Sequence, residues 1–134
     1  MAKFNSLEEM LKRSKTIAVV GLSRNPMRAS HGVSAYMQSQ GYRIIPVNPQ
    51  EEYVLGEKAY PSLLDVPESI DIVDVFRRSD AVPEIVDQAI QKKASAIFMQ
   101  EGVVHEEAAE KARQAGIFVV MDRCMLKEHR KIST

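Results

Sequence analysis

Two arginines follow a glycine near the amino terminus, in a pattern typical of anion binding. Gly21 ends a run of small and β-branched apolar residues, and Arg24 and Arg28 come shortly after it. Glycine permits a turn with positive φ and the close approach of a ligand to the backbone. Arginine supplies a permanent positive charge and a planar set of donors that matches phosphate. This spacing favours the binding of a phosphate group.

The elements on either side of these residues are those that a phosphate site needs. Residues 16–20 predict a strand, since a β-branched run ended by glycine suits a parallel strand that is covered on both faces. The loop leads into a helix that begins near Ser30 and ends at Gly41. A helix N-terminus presents unpaired N–H groups and the positive end of the helix dipole. We therefore interpret residues 21–32 as a phosphate-binding loop.

Strand and helix patterns alternate along the whole chain. Besides 16–20, strands are predicted over 42–47, 57–60, 70–76, 96–99 and 117–121. Further helices are predicted over 7–13, 82–90 and 106–115, and after 124. Strands that alternate with helices predict an α/β protein with a doubly wound parallel sheet in three layers. Six strands suit the order 3-2-1-4-5-6, in which ligands bind outside the carboxyl ends of the strands.

Composition limits the classes of function. The 134 residues suffice for one domain, 1–134, and the 18 basic and 18 acidic residues cancel. Zero formal charge gives no electrostatic case for a nucleic acid or an anionic membrane as partner. The single cysteine, Cys124, fits a reducing cytoplasm, and His105 and His129 have no partners at metal-ligand spacing. We expect a cytoplasmic domain without a metal site.

The first loop departs from the dinucleotide fingerprint. Its glycines do not follow G-x-G-x-x-G, and Val47, Asn48 and Pro49 stand where an acidic residue would bind the ribose of NAD. The missing acid counts against NAD. The arginines of the loop instead suit a ligand with additional phosphates, such as NADP or coenzyme A (CoA).

Three stretches carry a resemblance to a known family. VNP at 47–49, VDVFRR at 73–78 and MDRC at 121–124 resemble the stand-alone CoA-binding proteins, which are similar to the CoA-binding domain of the succinyl-CoA synthetase alpha subunit. The resemblance covers nearly the whole chain. It implies a Rossmann-like fold that binds CoA, with the pyrophosphate on the first loop and the adenine near the VNP turn.

The resemblance also implies a set of binding residues at the carboxyl edge of the sheet. These are Gly21, Leu22, Ser23, Arg28 and Ser30 for the phosphates, Val47, Asn48 and Pro49 for the adenine, Phe76, Arg77 and Arg78 beside the ligand, and Met99, Gln100 and Gly102 along the pantetheine.

Several functions remain open at this point. We expect a module that binds CoA or an acyl-CoA, with no catalytic residues of its own. The sequence leaves open whether it has a protein partner. The synthetase has a second domain with a phosphorylated histidine, and the chain ends before such a domain. The alternative is an NADP- or CoA-dependent enzyme, a reductase or an acyl transferase, with its catalytic group among Cys124, His31 and Tyr36. An interaction protein with a vestigial nucleotide site is the third hypothesis.

Overall fold

A parallel sheet of five strands is the centre of the computed structural model, in which residues 3–133 are described. The strands of the chain are β1 (Thr16–Val20), β2 (Arg43–Val47), β3 (Tyr53–Val54), β4 (Glu57–Lys58), β5 (Ile72–Val75), β6 (Ala96–Gln100) and β7 (Phe118–Arg123). The central sheet has the order β2-β1-β5-β6-β7, and every neighbouring pair in it is parallel. Each of β1, β5 and β6 is buried along nearly its whole length, as the continuous apolar runs predict.

Helices cover both faces of this sheet. They are α1 (Leu7–Arg13), α2 (Ala29–Ser39), α3 (Val82–Gln91), α4 (Glu106–Gln114) and α5 (Met125–Ile132). Apolar residues of α3 and α4 pack on one face, and those of α1, α2 and α5 pack on the other. The predicted three-layer, doubly wound α/β fold is confirmed. Within residues 3–133, no helix combines the length and the apolar character that crossing a membrane requires.

The prediction of a third strand over 57–60 in the central sheet is wrong. Residues 57–58 form β4, which pairs antiparallel with β3 in a separate hairpin. The chain then returns beside β2 for one parallel bridge, in which Tyr60 N–H donates to the Pro46 carbonyl at 3.0 Å. The chain then turns away from β2 into a 3-10 helix over Leu63–Asp65, so the pairing goes no further. The sheet therefore has five strands rather than six.

The strand predicted over 70–76 is shorter, and the acidic residue before it ties two strands together. The Asp71 carboxylate accepts the backbone N–H groups of Lys15 at 2.7 Å and of Thr16 at 3.0 Å. Asp71 thereby holds the start of β1 beside the start of β5.

Gly21 joins the carboxyl ends of three strands. Its N–H donates to the Val47 carbonyl at 2.8 Å, and its φ is +92°. A Cβ atom at this position would lie 2.3 Å from the Phe76 carbonyl oxygen, so a side chain would collide with the backbone after β5. Both the backbone angle and the close approach require glycine.

We expect Gly21→Ala to lower the free energy of unfolding more than Gly41→Ala does. Gly41 has a similar φ of +97°, but a Cβ atom there would lie more than 4 Å from every non-neighbouring atom of residues 3–133, so its change reports only the strained backbone angle. That strain costs about 1–2 kcal/mol, and the collision at Gly21 adds roughly 1–3 kcal/mol. Urea denaturation of both variants measures the difference. Equal losses would contradict the role given to the Phe76 carbonyl.

Candidate ligand-binding site

Two cavities adjoin at the carboxyl edge of the central sheet. The β1–β2 cavity, about 530 Å³, lies between the loop after β1, the start of α2 and the chain after β2. The β5–α5 cavity, about 660 Å³, lies between the start of α2, the chain after β5 and the start of α5. Both are lined by Ala29, Phe76 and Arg77, so they adjoin along the sheet edge, and we call the two together the groove. Ligands of doubly wound folds bind at this edge.

The groove brings together most of the residues predicted from the sequence. The residues in the β1–β2 cavity are Gly21, Ser23, Arg28, Ser30, Val47, Asn48, Pro49, Phe76 and Arg77. Phe76 and Arg77 also line the β5–α5 cavity, together with Arg78 and Gln100.

The start of α2 has the chemistry of an anion site. Arg28 occupies the N-cap position, and no side chain in the described part of the protein caps the N–H groups of the first turn. The buried Ser30 hydroxyl accepts the Ser23 N–H at 3.1 Å, which leaves the hydroxyl proton for another acceptor. The guanidinium groups of Arg28 and Arg77 add positive charge at the same cavity wall. This wall can bind an anion through N–H groups, one hydroxyl and two arginines.

The side chain of Asn48 connects the two loops that form the other walls of the β1–β2 cavity. Its Nδ2 donates to the Leu22 carbonyl at 3.0 Å, and its Oδ1 accepts the Gln50 N–H at 2.9 Å. The side chain of Leu22 is fully buried and does not line the cavity. Leu22 therefore contributes a backbone carbonyl to this link.

Two other predicted residues lie behind the groove. The Met99 side chain is buried on the sheet face that packs against α3 and α4. The Gly102 N–H donates to Asp122 Oδ1 at 2.7 Å, which fixes the loop after β6 to the end of β7. Neither residue lines the cavities, so both support the backbone around them.

Other lining residues were not individually assigned to the ligand from the sequence. They are Ala29, Gln50 and Glu51 in the β1–β2 cavity, and Ala29, Val33, Glu101 and Val103 in the β5–α5 cavity. The signal for Glu51 was present, since an acidic residue after the second strand is part of the Rossmann pattern. It was missed because Glu51 follows the VNP turn rather than occupying it.

Of the three residues considered for catalysis, only Cys124 lines the groove. It is a half-buried free thiol in the wall of the β5–α5 cavity. Tyr36 lies elsewhere, with its hydroxyl 2.9 Å from His129 Nδ1, and His31 lines neither cavity. Burial lowers the pKa of His129 and so favours the neutral form of this imidazole beside Tyr36.

A buried polar pair lies beneath the β5–α5 cavity. Asp74 is 1% exposed, and its Oδ1 accepts a hydrogen bond of 2.5 Å from Gln100 Nε2. Gln100 Oε1 in turn accepts the Met125 N–H at 3.4 Å, at the first residue of α5. Burial raises the pKa of Asp74 to about 7, although the bond from Gln100 opposes the shift. The pair connects the middle of the sheet to the start of α5.

The fold and the groove define a Rossmann-like α/β protein with two adjoining cavities at the carboxyl edge of its sheet. Residues 15–130 match the family described as "CoA binding domain". The chain therefore belongs to this family, as the resemblance of its motifs indicated.

Relatives are found among small proteins and among large ligases. The chain is 46% identical to the uncharacterized protein YneT of Bacillus subtilis over 123 residues, which is 92% of this chain and 91% of that protein. The structure of a hypothetical protein from Pyrococcus horikoshii OT3 matches with a TM-score of 0.92 and 39% identity, covering 100% of both chains. An ADP-forming acetate–CoA ligase of Archaeoglobus fulgidus is 32% identical over 108 residues, 75% of this chain but 16% of the ligase.

We expect Asp74→Asn to stabilise the protein at neutral and alkaline pH. The ordinary pKa of 3.8 rises to about 7 on folding, so between these values the folded chain keeps a proton that the unfolded chain releases. The ionisable group therefore costs stability progressively as the pH rises from about 4 to 7, and the full cost remains above that range. Asparagine keeps the Oδ1 acceptor and does not ionise.

Urea denaturation of the wild type and the variant, at about pH 4.5 and about pH 8, measures this effect. The advantage of Asp74→Asn should be larger at the higher pH. Asp65→Asn, at an exposed position, is the control and should show no such change. An advantage of Asp74→Asn that does not vary with pH would contradict the raised pKa.

Proposed function

We propose that this protein binds CoA or an acyl-CoA in the groove at the carboxyl edge of its sheet. One observation carries the proposal: the β1–β2 and β5–α5 cavities adjoin, and the wall at the start of α2 that can bind an anion lies where they meet. CoA is a long ligand with an anionic middle, so this arrangement suits it. Membership of the CoA binding domain family supports the same ligand.

The shape of the groove suggests an orientation for the ligand. The pyrophosphate lies against the first turn of α2 and binds Arg28 and the Ser30 hydroxyl, which makes residues 21–32 the phosphate-binding loop. The adenine packs against residues 47–49, where a rigid proline and a valine give an apolar wall. The pantetheine passes Phe76 and enters the β5–α5 cavity toward Gln100.

We further propose that the protein binds its ligand without turning it over, in the cytoplasm. The acetate–CoA ligase has an activity in its name, but this chain corresponds to 16% of that protein's length. Cys124 contributes a thiol to the groove, and within residues 3–133 no hydrogen bond joins this thiol to a base. A nucleophile needs such a base or a lowered pKa to react efficiently. A single free thiol also fits a reducing compartment.

Calorimetric titration with CoA, NADP and NAD tests the binding proposal. We expect CoA to bind with a dissociation constant in the micromolar range, about −8 kcal/mol, and more tightly than either dinucleotide. Arg28→Ala should weaken CoA binding about tenfold or more, since it removes a charged hydrogen-bond donor from a phosphate. Arg113→Ala is the control, because Arg113 lies on α4 and lines neither cavity. Tighter binding of NADP, or no binding of CoA, would overturn the proposal.

The proposal of binding without turnover has its own test. Acetyl-CoA is incubated with the protein, with and without ADP and phosphate, and the release of free CoA thiol is followed with a thiol reagent after removal of the protein. We expect release at the rate of the protein-free solution. Release in proportion to protein concentration would show hydrolysis or acyl transfer to phosphate, and would contradict the proposal.

A further inference from the structure

Glu51 places a carboxylate at the end of the groove where the adenosine would lie. It follows β2 by four positions and lines the β1–β2 cavity. Its side chain is only 12% exposed, and its Oε2 accepts the Arg24 N–H at 2.9 Å. The carboxylate is therefore fixed to the backbone of the first loop.

The side chain of Arg24 is held much less firmly than the Glu51 carboxylate. Its Nε lies 3.7 Å from Glu51 Oε1, and the side chain is 81% exposed. An exposed ion pair at this distance costs little to break. Thus the backbone of Arg24 is anchored while its guanidinium is free to leave Glu51. Arg24 does not itself line the β1–β2 cavity, and its contact with Glu51, which does, is what places it beside that cavity.

These two residues stand where Rossmann-type folds recognise the ribose of an adenine nucleotide. In such folds an acidic residue after the second strand binds a ribose hydroxyl, and an arginine nearby accommodates a phosphate on the ribose. This chain has both chemical groups at that place, in contact with each other. Arg28, by contrast, lies at the start of α2, where the pyrophosphate is proposed to bind.

On the basis of the proposed function, we infer that Arg24 and Glu51 set the preference of this site for a phosphorylated ribose. Arg24 leaves Glu51 and donates to the ribose 3′-phosphate, which distinguishes CoA from dephospho-CoA. Glu51 holds the backbone of Arg24 in position, and its negative charge moderates the affinity for the added phosphate. The two residues therefore act on the preference in opposite directions.

Titration with CoA and dephospho-CoA, which differ only in the 3′-phosphate, tests this inference. We expect Arg24→Ala to weaken CoA binding about tenfold and to leave dephospho-CoA binding nearly unchanged. Glu51→Gln keeps an oxygen acceptor for the Arg24 N–H and removes the charge, so the preference for CoA over dephospho-CoA should increase. Arg28→Ala is the matched comparison and should weaken both ligands to a similar degree. Circular dichroism checks that each variant is folded.

The outcomes distinguish a failure of this inference from a failure of the proposed CoA binding on which it rests. If the wild type binds both ligands but Arg24→Ala weakens them equally, or if Glu51→Gln lowers the preference for CoA, the inference is overturned and the CoA site stands. If the wild type binds neither ligand, both are overturned. Opposite shifts of the preference in Arg24→Ala and Glu51→Gln would support the inference.

Discussion

The contact between Gly21 and the Phe76 carbonyl is the constraint on which the groove depends. It brings the backbone after β1 against the backbone after β5, and the Gly21 N–H holds the end of β2 at the same point. The chains that leave these three strands are the walls of the β1–β2 cavity. Phe76 and Arg77 line both cavities, and they are the first two residues after β5, at this contact. The close packing of the backbone against itself therefore requires glycine at this position.

The second half of the groove depends on a polar link through the middle of the sheet. Asp74 lies on the central strand β5, on the face that packs against α1, α2 and α5, among apolar side chains. A buried carboxyl group is costly unless it is hydrogen-bonded or neutral. Gln100 satisfies it and also binds the first N–H of α5, so one amide group fixes β5, β6 and α5 relative to one another. The position of Cys124, directly before α5, follows from this link.

Local patterns in the sequence predicted most of the fold and much of the groove. The apolar run of β1, the turn at Gly21 and the helix after it are short-range features, and each occurs where predicted. The prediction of a third strand in the central sheet was wrong because the chain leaves β2 after Tyr60 and enters the 3-10 helix Leu63–Asp65, which leaves a single bridge. The role of Asp74 was unpredictable, because its partner Gln100 lies 26 residues away. Met99 was assigned to the site, but side chains alternate between the two faces along a strand. Gln100 therefore faces the β5–α5 cavity, and its neighbour Met99 faces α3 and α4.

No single segment of the chain forms the groove by itself. Its walls come from residues between Gly21 and Cys124, and β1 is held beside β5 by Asp71 and Thr16, which are 55 positions apart. Such non-local pairing slows folding, because a long loop must close before the contacts form. The site therefore forms only when the whole sheet has assembled. A ligand that binds there stabilises the complete fold by mass action, and slows amide hydrogen exchange even in strands that it does not touch.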